Sequence, residues 1–329
     1  MSSLTATLQA FFTDRLMQQR NASPHTISSY RDTLKLLLTY AAKQRGKTPS
    51  QLDIPDLDAT LIAAFLQHLE HDRGNSITTR NTRLAAIRSL FRYAALRHPE
   101  HAATIDRVLA IQGKRFERAL VTFLTEDEVA ALLAACDRST WTGRRDHALL
   151  LLAAETGLRR SELIHLRCND LHLDAGAHVS CLGKGRKNRT TPITSSTRAT
   201  LRTWLKERAG QAHEPLFPTR RGTTLSGDAL ERRLALYVDR AATECPTLTD
   251  KRVTLHVMRH TAAMRLLHAG VDTGVIAMWL GHEDVNTTSI YLHGDLRLKQ
   301  RALDRTKPTN VRAGRYRPTD TTLAFLDSL

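Results

Sequence analysis

The chain has 329 residues, 48 Lys and Arg against 33 Asp and Glu, and a formal net charge of +15. That length suits two domains with their own cores, and 41% hydrophobic residues exclude a disordered chain. No apolar stretch reaches the roughly 18 residues of a membrane span, and a pI of about 10.2 favours a polyanionic partner.

The positive charge is spread along the chain. The 17 basic and 10 acidic residues of 1–120 leave +7, and the 31 and 23 of 121–329 leave +8. Both halves are therefore expected to touch the same polyanion. The four cysteines, Cys136, Cys168, Cys181 and Cys245, form no Cys-x-x-Cys pair, so zinc is not expected. The apolar run at 8–12 is too short for a signal peptide, and Asp14 and Arg15 follow it. Thiols in a reducing cytoplasm are the expectation.

The first hundred residues predict a helical bundle. Residues 4–19 carry apolar side chains at helical spacing. Ser23 and Pro24 supply an N-cap and an N1 proline for a helix that runs to Arg45 and stops at Gly46. Its stripe includes Ile27, Tyr30, Leu34, Leu37 and Leu38. A third helix follows Asp58, ends at Gly74, and buries Leu61, Ile62, Phe65 and Leu69. A fourth follows Ser76, with a stripe of Leu84, Ile87, Leu90, Phe91 and Ala94. Arg88 and Arg92 fall to one side of that stripe, and Arg80 and Arg83 project from its first turns. These four arginines are candidate phosphate contacts of a domain over 1–110. A solvated charged face is the bland alternative.

The basic, weakly periodic segment from 111 reads as a linker, 111–123. Thr125 and Glu128 then form a capping box that opens a second domain, 124–305. It is expected to be mainly helical, with a small antiparallel sheet from strands at 178–182 and 190–193. The turn between them, Gly183-Lys-Gly-Arg-Lys-Asn188, suits a hairpin. Further helices are expected after Ser195, after Ser226, around His256 and after Asp272. Residues 306–318 form a basic linker punctuated by Pro and Gly. Thr319 or Asp320 then caps a short terminal helix bearing Leu323, Phe325, Leu326 and Leu329. So short a helix must dock its apolar side to persist.

Six residues of the second half carry a chemistry. Arg159 stands in Thr156-Gly-Leu-Arg-Arg-Ser-Glu-Leu163, and Lys184 in Gly183-Lys-Gly185. His256 and Arg259 stand in Leu255-His-Val-Met-Arg-His260. His282 follows Leu280-Gly281, and Tyr291 closes Thr287-Thr-Ser-Ile-Tyr291, nine residues on. Each alone reads as a structural residue. Together, in this order and context, they resemble the tyrosine recombinase (phage integrase) family, site-specific and Xer-like. Met258 departs from the leucine common in that motif, a volume-conserving change.

The residue types suit attack on a phosphodiester. Its transition state gathers negative charge on nonbridging oxygens, and planar guanidiniums meet two oxygens at once. Arg159 and Arg259 are the candidate clamp, with His282 as a further donor. A lysine at a hairpin tip could protonate the leaving 5′ oxygen. His256 and Arg259, three apart, share a helix face, so that His256 could exchange a proton with the nucleophile Tyr291. Arg186 and Lys187 are candidate DNA contacts beside Lys184. His256 and His260 have the spacing of a zinc pair, but Arg259 stands between them and Val257 occupies the glutamate position of His-Glu-x-x-His. The Gly-Lys-Gly turn is not a P-loop.

The resemblance implies a 3′-phosphotyrosyl intermediate, no metal or other cofactor, and paired cleavage of double-stranded DNA recombination sites. It implies a homo-oligomer on DNA, a tetramer in which related recombinases can take part and terminal helices are exchanged. Two other readings stay open at this point. One is a type IB topoisomerase-like enzyme, and the other an architectural DNA-binding protein.

Overall fold

The computed structural model describes residues 3–115, 121–183 and 188–281, except for the side chains of 182 and 188. The chain divides into two compact units, Met1–Arg118 and Ala119–Leu329.

In the first unit, helix α1 (Ser3–Ala10) runs directly into a π-helical stretch, Phe11–Gln19. The 3.6-residue period expected for 4–19 therefore breaks midway. The wider turn lets Phe11 and Leu16, five apart, both reach the core, each 1% exposed or less. Phe11 stacks on Tyr30 at 6.3 Å between ring centroids. Helix α2 (Pro24–Arg45) begins where the Ser23 hydroxyl accepts from the Thr26 N–H and ends at a left-handed Gly46, φ 63°. Helix α3 (Ala59–His71) starts on the Asp58 carboxylate and stops at Asp72, short of the expected Gly74. Helix α4 (Ile77–Ala95) is capped by Ser76 and buries all five residues of the expected stripe. A further helix, α5 (Ala102–Ala110), has no counterpart among the expected elements; its Ile105 and Val108 close the core beside α3 and α4.

The start of the expected linker is clasped to α4. Arg88 Nη2 donates to the Ile111 carbonyl, and Arg80 Nη1 to that of Gln112 at 3.2 Å. Asn81 pairs with the Lys114 backbone through both amide atoms, at 2.8 and 3.0 Å. Lys114 Nζ in turn meets Glu70 at 2.8 Å.

The second unit is built around α7. Helix α6 (Glu126–Ala134) opens with the expected capping box between Thr125 and Glu128. Helix α7 (Trp141–Thr156) is buried along most of its length, and α8 (Arg160–His165) follows directly. A three-stranded antiparallel sheet comes next, β1 (Leu171–His172), β2 (His178–Leu182) and β3 (Asn188–Pro192), in sequence order. Helix α9 (Ser195–Arg208) is capped by Thr194, one residue before the expected cap. Helices α10 (Gly227–Glu244, capped by Ser226), α11 (Leu255–His268) and α12 (Thr273–Leu280, capped by Asp272) complete the described part. α6, α9 and α11 pack around α7. Leu149, Leu152, Trp204, Phe217, Leu234 and Met258 fill the core, each 2% exposed or less.

One polar cluster lies inside this core. Asp146, 1% exposed, accepts from Arg145 Nε at 2.8 Å and the Tyr237 hydroxyl at 2.7 Å, and pairs with Arg233 Nε. Burial, then the bond to Asp146, pushes the Tyr237 phenol up to about 12. Removing one member of such a network strands the buried charges left behind. Asp146→Ala is therefore expected to destabilise the second unit by about 3–5 kcal/mol. Chemical denaturation followed by domain-specific probes would register that loss, with the first unit's midpoint unchanged.

Candidate active site

The end of α7 and the start of α8 place Arg159. Helix α7 stops at Gly157, whose φ of 62° favours glycine. A Cβ there would stand 2.7 Å from Leu280 Cδ2 and 3.1 Å from Ala262 Cβ, so glycine also admits α11 and α12 at close range. Two residues later the backbone extends, and Arg159 itself is the N-cap residue of α8, at φ −67° and ψ 154°. Ser161, a short polar residue of the kind that caps helices, lies inside the helix. The reason is Glu162, three residues into the turn. One of its oxygens accepts the Arg159 backbone N–H at 2.7 Å, and the other accepts Arg159 Nη1 at 2.8 Å. The carboxylate thus fixes both the backbone and the side chain of Arg159. Arg159 Nη2 extends to the Gly281 carbonyl at 2.9 Å.

Arg259 converges on the same place from α11. Its residue is 4% exposed. Nη1 donates to the Gly157 carbonyl and Nη2 to the Leu280 carbonyl, both at 2.6 Å. The acceptors are the C-terminal carbonyls of α7 and α12, where the peptide dipoles leave partial negative charge. Gly281, left-handed at φ 64°, ends α12. The structure therefore brings Arg159, Arg259 and the end of α12 together, one residue before His282 in the sequence.

His256 shares the α11 face with Arg259, and its ring meets that of His260 edge to face, 4.2 Å between centroids. The residue is exposed overall, yet partial desolvation by the surrounding chain, then the Arg259 charge, then that of Arg159, hold its pKa below the ordinary histidine value. At neutral pH it is the uncharged base. Among the described residues, no three His, Cys, Asp or Glu side chains gather as a metal-ligand group.

The other expected residues divide between described and undescribed parts. Lys184, Arg186, Lys187, His282 and Tyr291 lie outside the described residues. Arg80, Arg83, Arg88 and Arg92 all lie on α4 of the first unit. Arg80 is 7% exposed and faces Glu70 at 3.3 Å, and both it and Arg88 hold the 111–114 segment. Arg83 is partly buried, and desolvation, then the nearby Arg73 charge, lower its pKa. Arg92 is exposed.

Two residues of this cluster escape a reading of the sequence. Glu162 holds Arg159; its signal is an Arg-x-x-Glu spacing at a helix start. Arg189, which reads as one more charge in a basic turn, is 8% exposed on β3 and bonds Glu162 at 2.8 Å. Strand alternation beside the fully buried Thr191 is its signal.

Comparison with known proteins identifies the family. The phage integrase family model matches residues 122–297, and the model of the phage integrase N-terminal SAM-like domain matches 10–98. The protein named y4rC in Sinorhizobium fredii is 55% identical over 328 residues, which cover 100% of this chain and 99% of that protein. The chain belongs to the phage integrase family, whose members are tyrosine-type site-specific DNA recombinases. Tyrosine recombinase XerC of Xanthomonas campestris is 34% identical over 96% of this chain and 92% of its own length. Solved structures share the fold. The Tn1549 transposon integrase in complex with transposon right end DNA aligns with a TM-score of 0.69 at 16% identity, over 91% of this chain and 98% of that one. The XerH recombinase bound to palindromic difH substrate aligns at 0.65 and 23% identity, over 87% and 81%.

The depressed pKa of His256 has a measurable sign. The folded chain binds its proton less readily than the unfolded one. His256 therefore contributes its full share of stability above pH 6.5 and loses it as pH falls. NMR titration of the ring in the DNA-free protein should give a midpoint below 6.5. Arg159→Gln, which removes one opposing charge, should raise that midpoint; an unchanged value would show that the guanidinium does not act on the ring.

Proposed function

We propose that the chain cuts and rejoins double-stranded DNA at specific sites through a covalent 3′-phosphotyrosyl intermediate on Tyr291. The observation that carries this reading is the convergence of Arg159 and Arg259 on the Gly157, Leu280 and Gly281 carbonyls, with His256 beside them. Two rigidly held guanidiniums provide positive charge where a phosphodiester in transition gains negative charge, and preorganised donors stabilise it most. His282 adds a donor to a nonbridging oxygen.

In the cleavage step the Tyr291 oxygen attacks phosphorus and its proton passes to His256, which is neutral and so able to accept it. The bond from phosphorus to the 5′ oxygen breaks as Lys184 gives that oxygen a proton. The ester keeps the bond energy, and a 5′ hydroxyl attacking it reverses every transfer. Neither a metal ion nor a nucleotide enters this sequence.

The domains in this reading are a DNA-gripping bundle (1–110), a linker (111–123), a catalytic domain (124–305) and a tail (306–329) whose short helix passes between subunits of a tetramer. Arg83 and Arg92 on α4, with Arg186 and Lys187 in the hairpin turn, supply phosphate contacts. Arg80 and Arg88 take part only with donors not used on the 111–114 segment.

Tyr291→Phe tests the nucleophile. It should bind DNA with near-normal affinity and form no SDS-resistant complex on a suicide substrate. A covalent adduct from that variant would rule Tyr291 out. Replacing Arg83 and Arg92 together by Ala should lower the slope of log affinity against log salt by about 0.9 for each phosphate that is no longer neutralised. An unchanged slope in a salt titration would remove those residues from the DNA interface.

A further inference from the structure

Arg189 is a buried cation with no place in the chemistry set out above. It stands on β3 opposite Cys181 of β2. Its Nη2 donates to Glu162 Oε2 at 2.8 Å, and its Nη1 to the Trp279 carbonyl at 3.0 Å. A Cβ placed on Gly281 would stand 3.0 Å from Arg189 Cδ, so the stem of the side chain lies against the glycine that ends α12. One side chain therefore joins three elements: the start of α8, where Glu162 holds Arg159; the last turn of α12, two residues before Gly281; and β3 itself.

Glu162 already fixes Arg159 through two bonds of its own. Arg189 adds a tie from the same carboxylate, and from the end of α12, to β3, which begins four residues after Lys184 in the sequence. A planar fork with two acceptors in different elements fixes both the distance and the angle of the strand that carries it.

We propose that Arg189 is a positioning residue for DNA cleavage, anchoring β3, the strand that follows Lys184 in the sequence, to the ends of α8 and α12. This rests on the reading of Lys184 as the proton donor to the 5′ oxygen. Loss of Arg189 then resembles loss of Lys184, because the acid is displaced while the guanidinium clamp stays in place. A displacement of about 1 Å costs on the order of 10²-fold in rate.

The test compares single-turnover cleavage of an ordinary suicide substrate with that of its 5′-phosphorothiolate counterpart, whose leaving sulfur needs no proton. The variants are Arg189→Met, Arg189→Lys, Lys184→Ala and Arg159→Ala, with DNA affinity and thermal midpoint measured in parallel. Arg189→Lys keeps a positive charge beside Glu162 and carries the test if Arg189→Met fails to fold. Both Arg189 variants should bind DNA normally, cleave the ordinary substrate about 10²-fold more slowly, and recover on the phosphorothiolate as Lys184→Ala does. Arg159→Ala should not recover. A purely structural role would slow both substrates alike. If Lys184→Ala recovers and the Arg189 variants do not, or if they cleave ordinary DNA at the native rate, the proposal is overturned. A Lys184→Ala that fails to recover sinks the acid assignment, and this proposal with it.

Discussion

The second unit depends on one arrangement: guanidiniums aimed at the C-terminal carbonyls of two helices. Arg259 spans Gly157 and Leu280, and Arg159 reaches Gly281. Each acceptor is an orphan of its helix end, and each cation offsets the negative end of a peptide dipole. The same bonds that satisfy the helix ends hold the arginines still. Left-handed glycines at 157 and 281 make this possible, by ending α7 and α12 abruptly enough for their carbonyls to face the arginines. The site is therefore a tertiary knot of four helices, α7, α8, α11 and α12, in which folding and the preorganisation of charge are one event.

Much of this is legible in the sequence because it depends on local rules. Ser23, Asp58, Ser76, Thr125, Ser226 and Asp272 each start a helix where a short polar side chain can take the N–H groups left over. The stripe of α4 and the antiparallel pair of β2 and β3 follow from periodicity. The misses have a different cause. The π-helical turn at 11–19 exists because Phe11 and Leu16 both find the core, a demand made by neighbours and not by their own segment. Helix α5 lacks a capping side chain and shows only two fully buried apolar residues. In the site, Arg159, His256 and Arg259 stand out through their motifs. Glu162 looks like ordinary helix charge three residues from Arg159, and Arg189 has its partners far away in sequence.

The arginines separate into roles that counting charges cannot distinguish. On α4, Arg80 and Arg88 secure residues 111–114 of their own chain, whereas Arg92 stands exposed. In the second unit, Arg145 and Arg233 surround Asp146, while Arg159 and Arg259 face carbonyls. A net charge of +15 is thus a poor guide to how many cations meet DNA. Burial and the identity of each acceptor decide that, and both are properties of the fold.

The neutral state of His256 has a thermodynamic consequence for the encounter with DNA. Two guanidiniums oppose its proton in the free protein. An anion seated between them cancels part of that opposition and favours the charged ring. Binding is then accompanied by uptake of a fraction of a proton where the ring titrates, below pH 6.5 in the free protein, and linkage requires affinity to rise as the solution becomes more acidic through that range. The heat released on association accordingly contains a contribution from whichever buffer gives up the proton.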